Sequence, residues 1–128
     1  MAVSYVIVER GNPLKPQEPK KFYAQAKASG ELTLKKLSKE IAQGSTTVSD
    51  TDVLAVLNDL TKILARHLAD GEIVRFGDFG AFQISLTGSG AESADKFNAS
   101  HILGGKIIFR PGVDLKELLA TLKYEKSK

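Results

Sequence analysis

Cysteine is absent from this chain of 128 residues, and methionine occurs once. Without cysteine there is no disulfide framework and no thiolate metal site, and the composition fits a cytoplasmic protein. Also missing is any run of about 18 apolar residues, so no membrane span is expected. The opening segment, Met1-Ala-Val-Ser-Tyr-Val-Ile-Val8, has no basic stretch ahead of a long apolar core, so no secretion signal is expected. Tandem repeats are lacking. Nor is there a nucleophile with a base and an orienting group, so no enzyme is expected and no small-molecule substrate. His67 and His101 have no metal-ligand partner by spacing, so neither a metal nor a cofactor is expected. Asp50, Asp52 and Asp59 read as a capping or solvated helix face. Asn98-Ala-Ser100 matches a glycosylation sequon, which carries little weight without a secretion signal.

What is present is ordinary in bulk. The chain is 42% hydrophobic and 26% charged, as expected of a globular protein. The net charge is only +3, but it is unevenly spread. Residues 1–39 carry a balance of +5, residues 40–95 a balance of −6 and residues 96–128 a balance of +4. A fold that brought the two ends to one face would concentrate positive potential there. The alternative is that each end is charged for solubility alone.

Hydrophobic periodicity divides the chain. Val3–Arg10 is rich in β-branched and aromatic residues and reads as a strand ended by Gly11-Asn-Pro13. Pro13, Pro16 and Pro19 recur every third residue, which predicts an extended linker of polyproline character. Residues 20–26 read as a second strand, with Phe22, Ala24 and Ala26 on one side. A helix is expected from Thr33, with Leu34, Leu37 and Ile41 as its apolar stripe, and Gly44–Thr47 breaks it. Ser49, three residues before Asp52, resembles a capping box that opens a second helix running to about Asp70, where Gly71 stops it. Val53, Val56, Leu57, Leu60, Ile63, Leu64 and Leu68 cover a wide face of that helix. So broad a face implies burial on more than one side, for example against a second subunit.

Short strands are expected at 73–76 and 81–86, around Gly77-Asp78-Phe79-Gly80. That glycine corner is not followed by a helix and carries no Lys-Ser/Thr, so it is a turn rather than a nucleotide-binding loop. Residues 87–105 hold four glycines and no strong period, so a mobile hairpin or loop is expected there. Lys106–Phe109 returns as a strand, Pro111-Gly112 ends it, and Leu115, Leu118, Leu119 and Leu122 mark a last helix.

The capped helix, the Gly71-Glu72 turn, Gly80-x-Phe82 with Phe79 before it, and Phe109-Arg110-Pro111-Gly112 followed by a helix resemble the HU/IHF family of bacterial histone-like DNA-binding proteins. Residues 1–32 precede the family core and resemble the N-terminally extended members found in Bacteroides-type bacteria. The resemblance implies an α+β fold. Two N-terminal helices would form a dimer body, a three-stranded antiparallel sheet would form a saddle, an arm would occupy about 86–106, and a helix would close the chain. On that scheme residues 1–32 are an extension and residues 33–128 the DNA-binding domain. The partners implied are double-stranded DNA and a second subunit, identical or paralogous, in the bacterial nucleoid.

Within this scheme Arg110, Lys106 and Arg75 lie on or beside the saddle, and Lys35, Lys36 and Lys39 lie in the first helix. Each is a candidate for phosphate contact, which positions a protein on DNA without reading sequence. The arm departs from the family. Residues 88–105 have no proline to wedge between base pairs, and Glu92 and Asp95 outnumber Lys96, the one Lys or Arg there. Phe97 is the candidate substitute wedge, its alternative being to pack on its own subunit. Asp78 stands where the family usually has glycine. Phe76, Phe79, Phe82 and Phe109 are expected to be core rather than base-stacking platforms. Two functional readings follow from different classes. One is a nucleoid-associated protein that binds duplex DNA with little sequence specificity and bends or compacts it. The other is an assembly module that keeps the fold and has weak or lost DNA binding.

Overall fold

The computed structural model describes residues 2–44 and 47–127. The break expected at Gly44–Thr47 falls partly outside them. The chain is α+β, with three α-helices and two three-stranded sheets among the described residues. It divides into two compact units, one comprising Met1–Thr33 and Leu119–Lys128, the other Leu34–Leu118.

In the first unit, strands β1 (Val3–Arg10) and β2 (Lys21–Lys27) pair antiparallel along their whole length, from Ser4 opposite Lys27 to Arg10 opposite Lys21. The segment between them is not the extended polyproline linker expected from its prolines. Two successive turns reverse it, with the Lys15 N–H donating to the Asn12 carbonyl and the Glu18 N–H to the Lys15 carbonyl. Proline fixes φ near −65° in turns as well as in extended chain, so its three-residue spacing did not distinguish the two. A strand with no sequence counterpart completes this sheet. β6 (Tyr124–Lys126) runs parallel to β1 on its other side, placing Val3 beside Tyr124 and Tyr5 beside Lys126. The Val3 N–H donates to the Lys123 carbonyl and the Ser127 N–H to the Tyr5 carbonyl, each at 2.8 Å, so the two ends of the chain meet.

The second unit begins with α1 (Leu34–Gln43), which packs on α2 (Asp50–Ala69). Ser38 is the buried residue of α1, 1% exposed, and its hydroxyl donates to the Lys35 carbonyl at 2.7 Å. The start and stop of α2 follow the sequence closely. The Ser49 hydroxyl accepts from the Asp52 N–H at 3.2 Å, and Gly71 adopts φ 82° just after the helix. One stripe of α2, including Val53, Leu57, Leu64 and Leu68, turns inward. A second stripe, Val56, Leu60 and Ile63, remains 65%, 39% and 47% exposed.

The second sheet has the order β3-β4-β5, formed by Val74–Phe76, Gly80–Gly88 and Ile102–Pro111. All its pairs are antiparallel. The β4 and β5 strands extend further than expected, because their ladder continues through Thr87 opposite Gly104 to Gly88 opposite Ile102, with a register shift at Thr87/Gly88. Backbone pairing held these glycine-bearing positions in strands although their side chains showed no period. Residues 94–96 and 99–101 then form single 3-10 turns at the tip. The last helix, α3 (Val113–Ala120), starts and stops about two residues earlier than its leucines suggested, and β6 follows it.

The glycine corner sets the register of this sheet. Gly77 has φ 51°, a backbone region that favours glycine, and the Phe79 N–H closes the turn on the Phe76 carbonyl at 2.9 Å. A β-carbon at Gly80 would lie 2.6 Å from the Arg110 carbonyl oxygen and from the Phe109 ring. The β4–β5 approach therefore tolerates no side chain there. The corner also anchors α3, since Gly112 N–H donates to the Phe79 carbonyl at 2.8 Å and Asp114 N–H to the Asp78 carbonyl at 3.1 Å. On the inner face Phe82 touches Phe76 and Phe109 at centroid separations of 5.5 and 4.8 Å, and Phe79 adds to Phe109 at 5.7 Å. The phenylalanines pack against one another, but only Phe76 and Phe82 are half-buried, while Phe79 and Phe109 remain 44% and 36% exposed, so in the single subunit the core expectation holds for two of the four.

Gly80→Ala should lower unfolding free energy by about 1–3 kcal/mol in denaturant titrations at fixed protein concentration. Gly90→Ala, with nothing within 4 Å of the added carbon, should stay within about 0.5 kcal/mol of the parent. Equal effects at the two sites would show that the Gly80 contact does not set the packing.

Candidate nucleic-acid interface

The register of the second sheet sorts its side chains onto two faces, because residues opposite one another project to the same side. Phe82 and Phe109, Ile84 and Ile107, and Leu86 with Gly105 share one face, with Val74 opposite Phe82. The other face carries Arg75, Ala81 and Arg110 in a row across three strands. Gln83 with Ile108, Ser85 with Lys106, and Thr87 with Gly104 continue it along the ribbon. The face holds three cations and no carboxylate.

Ala81 is the centre of the row. It is 7% exposed and stands between the two arginines on the central strand. Arg75 and Arg110 stand two strands apart, about 10 Å, and Lys106 lies four residues along β5 from Arg110, about 13 Å. These separations suit different phosphates rather than one shared anion. All three residues are exposed, and none is in an ion pair among the described residues. Guanidinium and ammonium groups are donors only, so the face offers hydrogen bonds and charge to an anion; Gln83, Ser85 and Thr87 add neutral polar groups.

The other candidate residues are placed differently. Lys35, Lys36 and Lys39 are exposed on α1 and lie outside the sheet row. Lys96 is on the arm tip, where its ammonium pairs with the Glu92 carboxylate at 2.9 Å. That pair is exposed and weak, so Lys96 is partly neutralised but still available to a stronger anion. The Phe97 ring stacks on the His101 imidazole at a centroid separation of 4.8 Å and an interplanar angle of 23°. The tip closes on itself in other ways too. The Ser100 N–H donates to the Asn98 side-chain oxygen at 2.9 Å, and the Ser89 N–H to the His101 carbonyl at 3.0 Å. Asn98 of the sequon is thus part of the turn. At the base of α2, His67 Nδ1 lies 2.6 Å from a Glu72 carboxylate oxygen, and no group of three or more potential metal ligands occurs among the described residues. Among the described residues no helix is long and apolar enough to cross a membrane.

Sequence reasoning singled out the cations but not Gln83, Ser85 and Thr87. A signal for them existed: these residues alternate with Phe82, Ile84 and Leu86, the period of a strand with one polar and one apolar face.

Comparison with known families decides the lineage. The family described as an HU domain fused to a wHTH, Ig or glycine-rich motif matches residues 1–126. The chain belongs to this HU-HIG family. A comparison with curated proteins found no match. Among solved structures, one similar fold is a protein from Bacteroides vulgatus whose description as a bacterial DNA-binding protein is itself provisional. It aligns with a TM-score of 0.63 at 11% identity, over 97% of this chain and 48% of the other. The HU-HIG chain therefore spans about half the length of that relative. A second is Anabaena HU in a cocrystal with DNA, with a TM-score of 0.53 at 16% identity, over 70% of this chain and 99% of the other. At these identities both likenesses establish the fold.

The stacking at the tip has a direct check. Phe97→Ala should speed hydrogen exchange at the Ser89 amide several-fold while leaving Gln83 and Ile84 in the ladder unchanged. Unaltered exchange at Ser89 would mean that Phe97 does not order the tip.

Proposed function

We propose that this HU-HIG chain is an architectural DNA-binding protein of the bacterial nucleoid. It would act as a dimer that grips duplex DNA with little sequence preference and bends or compacts it, without catalysis. The observation that carries the reading is the carboxylate-free face of the second sheet, with Arg75, Arg110 and Lys106 spread over it. Such a face binds by releasing counterions from phosphates, a term indifferent to base identity. The cocrystal of the Anabaena relative with DNA supports duplex DNA as the polyanion.

Dimerisation is supported by the outward stripe of α2. Val56, Leu60 and Ile63 recur at spacings of four and three, so they form one continuous apolar surface. The apolar face of the sheet is likewise open at Ile84, Leu86 and Ile107. A subunit exposing both buries little of its apolar surface, and a second copy covering them would complete the core. A paralogue with the same stripe would serve equally. In this arrangement α1 and α2 form the dimer body and the DNA-binding domain is the Leu34–Leu118 unit, shorter at its C-terminal end than the 33–128 expected, because β6 joins the sheet of the N-terminal extension. The lysines of α1 supply phosphate contacts secondary to the sheet row.

The arm favours weaker bending than a proline wedge would give. Its tip is closed on itself, Lys96 is engaged by Glu92, and Phe97 must leave His101 to enter a base step. These observations are also what supports the second reading, an HU-fold assembly module with weak DNA binding.

Two outcomes test the proposal. Leu60→Asp should abolish folding at micromolar concentration, because it would place a charge in the subunit interface. A folded monomer of this variant, or of the parent, in sedimentation equilibrium would remove the dimer. For DNA, Arg110→Ala should weaken binding to unrelated duplexes by similar factors and make the slope of log affinity against log salt shallower by about 0.9. Weakening at one sequence alone would indicate base readout. No salt-dependent binding by the parent would favour the assembly module.

A further inference from the structure

The N-terminal sheet is sorted like the second one. Its register puts Val3, Tyr5, Ile7, Phe22, Ala24, Ala26 and Tyr124 on one face, interrupted near the loop by Glu9 and beside Tyr5 by Lys126. The opposite face carries Arg10, Lys21, Tyr23, Gln25 and Lys27 with Val8 and Val6 between them, against one acid, Glu125, beside Ser4 at the far end. Lys27 is engaged there by the Ser127 hydroxyl at 3.2 Å.

Arg10 and Lys21 are the last pair of the β1–β2 ladder before the loop. They stand directly opposite one another with β-carbons about 5 Å apart, where two like charges destabilise a sheet. The loop brings one carboxylate to the same notch. Glu18 is the nearby acid, and its carboxylate is paired with Lys15 at 3.5 Å. Neither Arg10 nor Lys21 is in an ion pair among the described residues. The two cations border a notch of about 340 Å³, lined also by Asn12, Glu18 and Tyr23. A donor-only pair of like charges with no carboxylate in ion-pair contact, beside a notch with a phenol and an amide, offers a place for an external anion.

We propose that this end of the N-terminal hairpin is a second phosphate-contacting surface for duplex DNA, with Arg10 and Lys21 as its charged groups and Tyr23 as a neutral donor. The proposal rests on the DNA-binding reading of the second sheet. It extends that reading to a unit outside the HU-like core. The extension then adds affinity without sequence preference, and it partly compensates for an arm tip that contributes little positive charge.

The test uses the full chain and a 30-base-pair duplex followed by fluorescence anisotropy across a salt series. R10A/K21A should bind about tenfold more weakly at low salt, with a slope shallower by about 1.8 for two lost phosphate contacts. Its melting temperature should be unchanged or raised, because the like-charge pair is gone. R10K/K21R keeps both charges and should bind like the parent. R110A/K106A, measured in parallel, reports on the second sheet alone. Parental affinity and slope in R10A/K21A, with R110A/K106A weakened, would overturn the second surface and leave the first reading standing. No binding by the parent would overturn both. If R10A/K21A kept its DNA binding but lost binding to poly-glutamate that the parent shows, the site would belong to an acidic protein instead.

Discussion

The close passage of β4 over the end of β5 is the constraint on which the rest of the second unit depends. Gly80 leaves no room for a side chain against the Arg110 carbonyl and the Phe109 ring. Gly112 approaches the Asp78–Phe79 backbone in the same corner and is tied to it through its N–H. Together these contacts fix the register of the ladder. A slip of one residue in a strand would carry its whole side-chain set to the other face. Arg110 would then turn toward the phenylalanines, and Phe109 toward water.

With the register fixed, each face acquires a single character. Phe76, Phe79, Phe82 and Phe109 form a packed aromatic line on one side. Arg75, Arg110 and Lys106 occupy the other with no carboxylate among them. Their charge is not spent internally, which distinguishes them from Lys15, Lys96 and His67, all of which have acidic neighbours within 4 Å. The modest net charge of the chain therefore conceals a locally basic surface. Acidic residues are concentrated in 40–95, largely on α2 and the turns beside it, where they cap a helix or meet solvent.

The same economy appears in the N-terminal sheet, where strand pairing again separates a mainly apolar face from a basic one. Both ends of the chain build this sheet, since β6 lies alongside β1. Backbone hydrogen bonds from Val3 and Ser127 tie the two strands together.

Local signals in the sequence determined a good deal. Ser49 and Gly71 bounded α2 because a cap needs a short-range hydroxyl and a helix end needs a residue that tolerates positive φ. Gly77 to Phe82 marked the corner, and Phe109 to Gly112 its complement, because turn geometry restricts residue type at fixed offsets. What the sequence left open depended on partners distant along the chain. The 3-residue proline rhythm fitted extended chain and turns alike, and only the pairing of β1 with β2 selected turns. Tyr124–Lys126 became a strand because β1 offered it an edge, not because three residues carry a period. Gly104 and Gly105 joined β5 through the ladder, and Phe97 found His101 through two 3-10 turns. Which lysines and arginines share a surface was likewise decided by tertiary structure: charge is a property of a residue, but a charged face is a property of register.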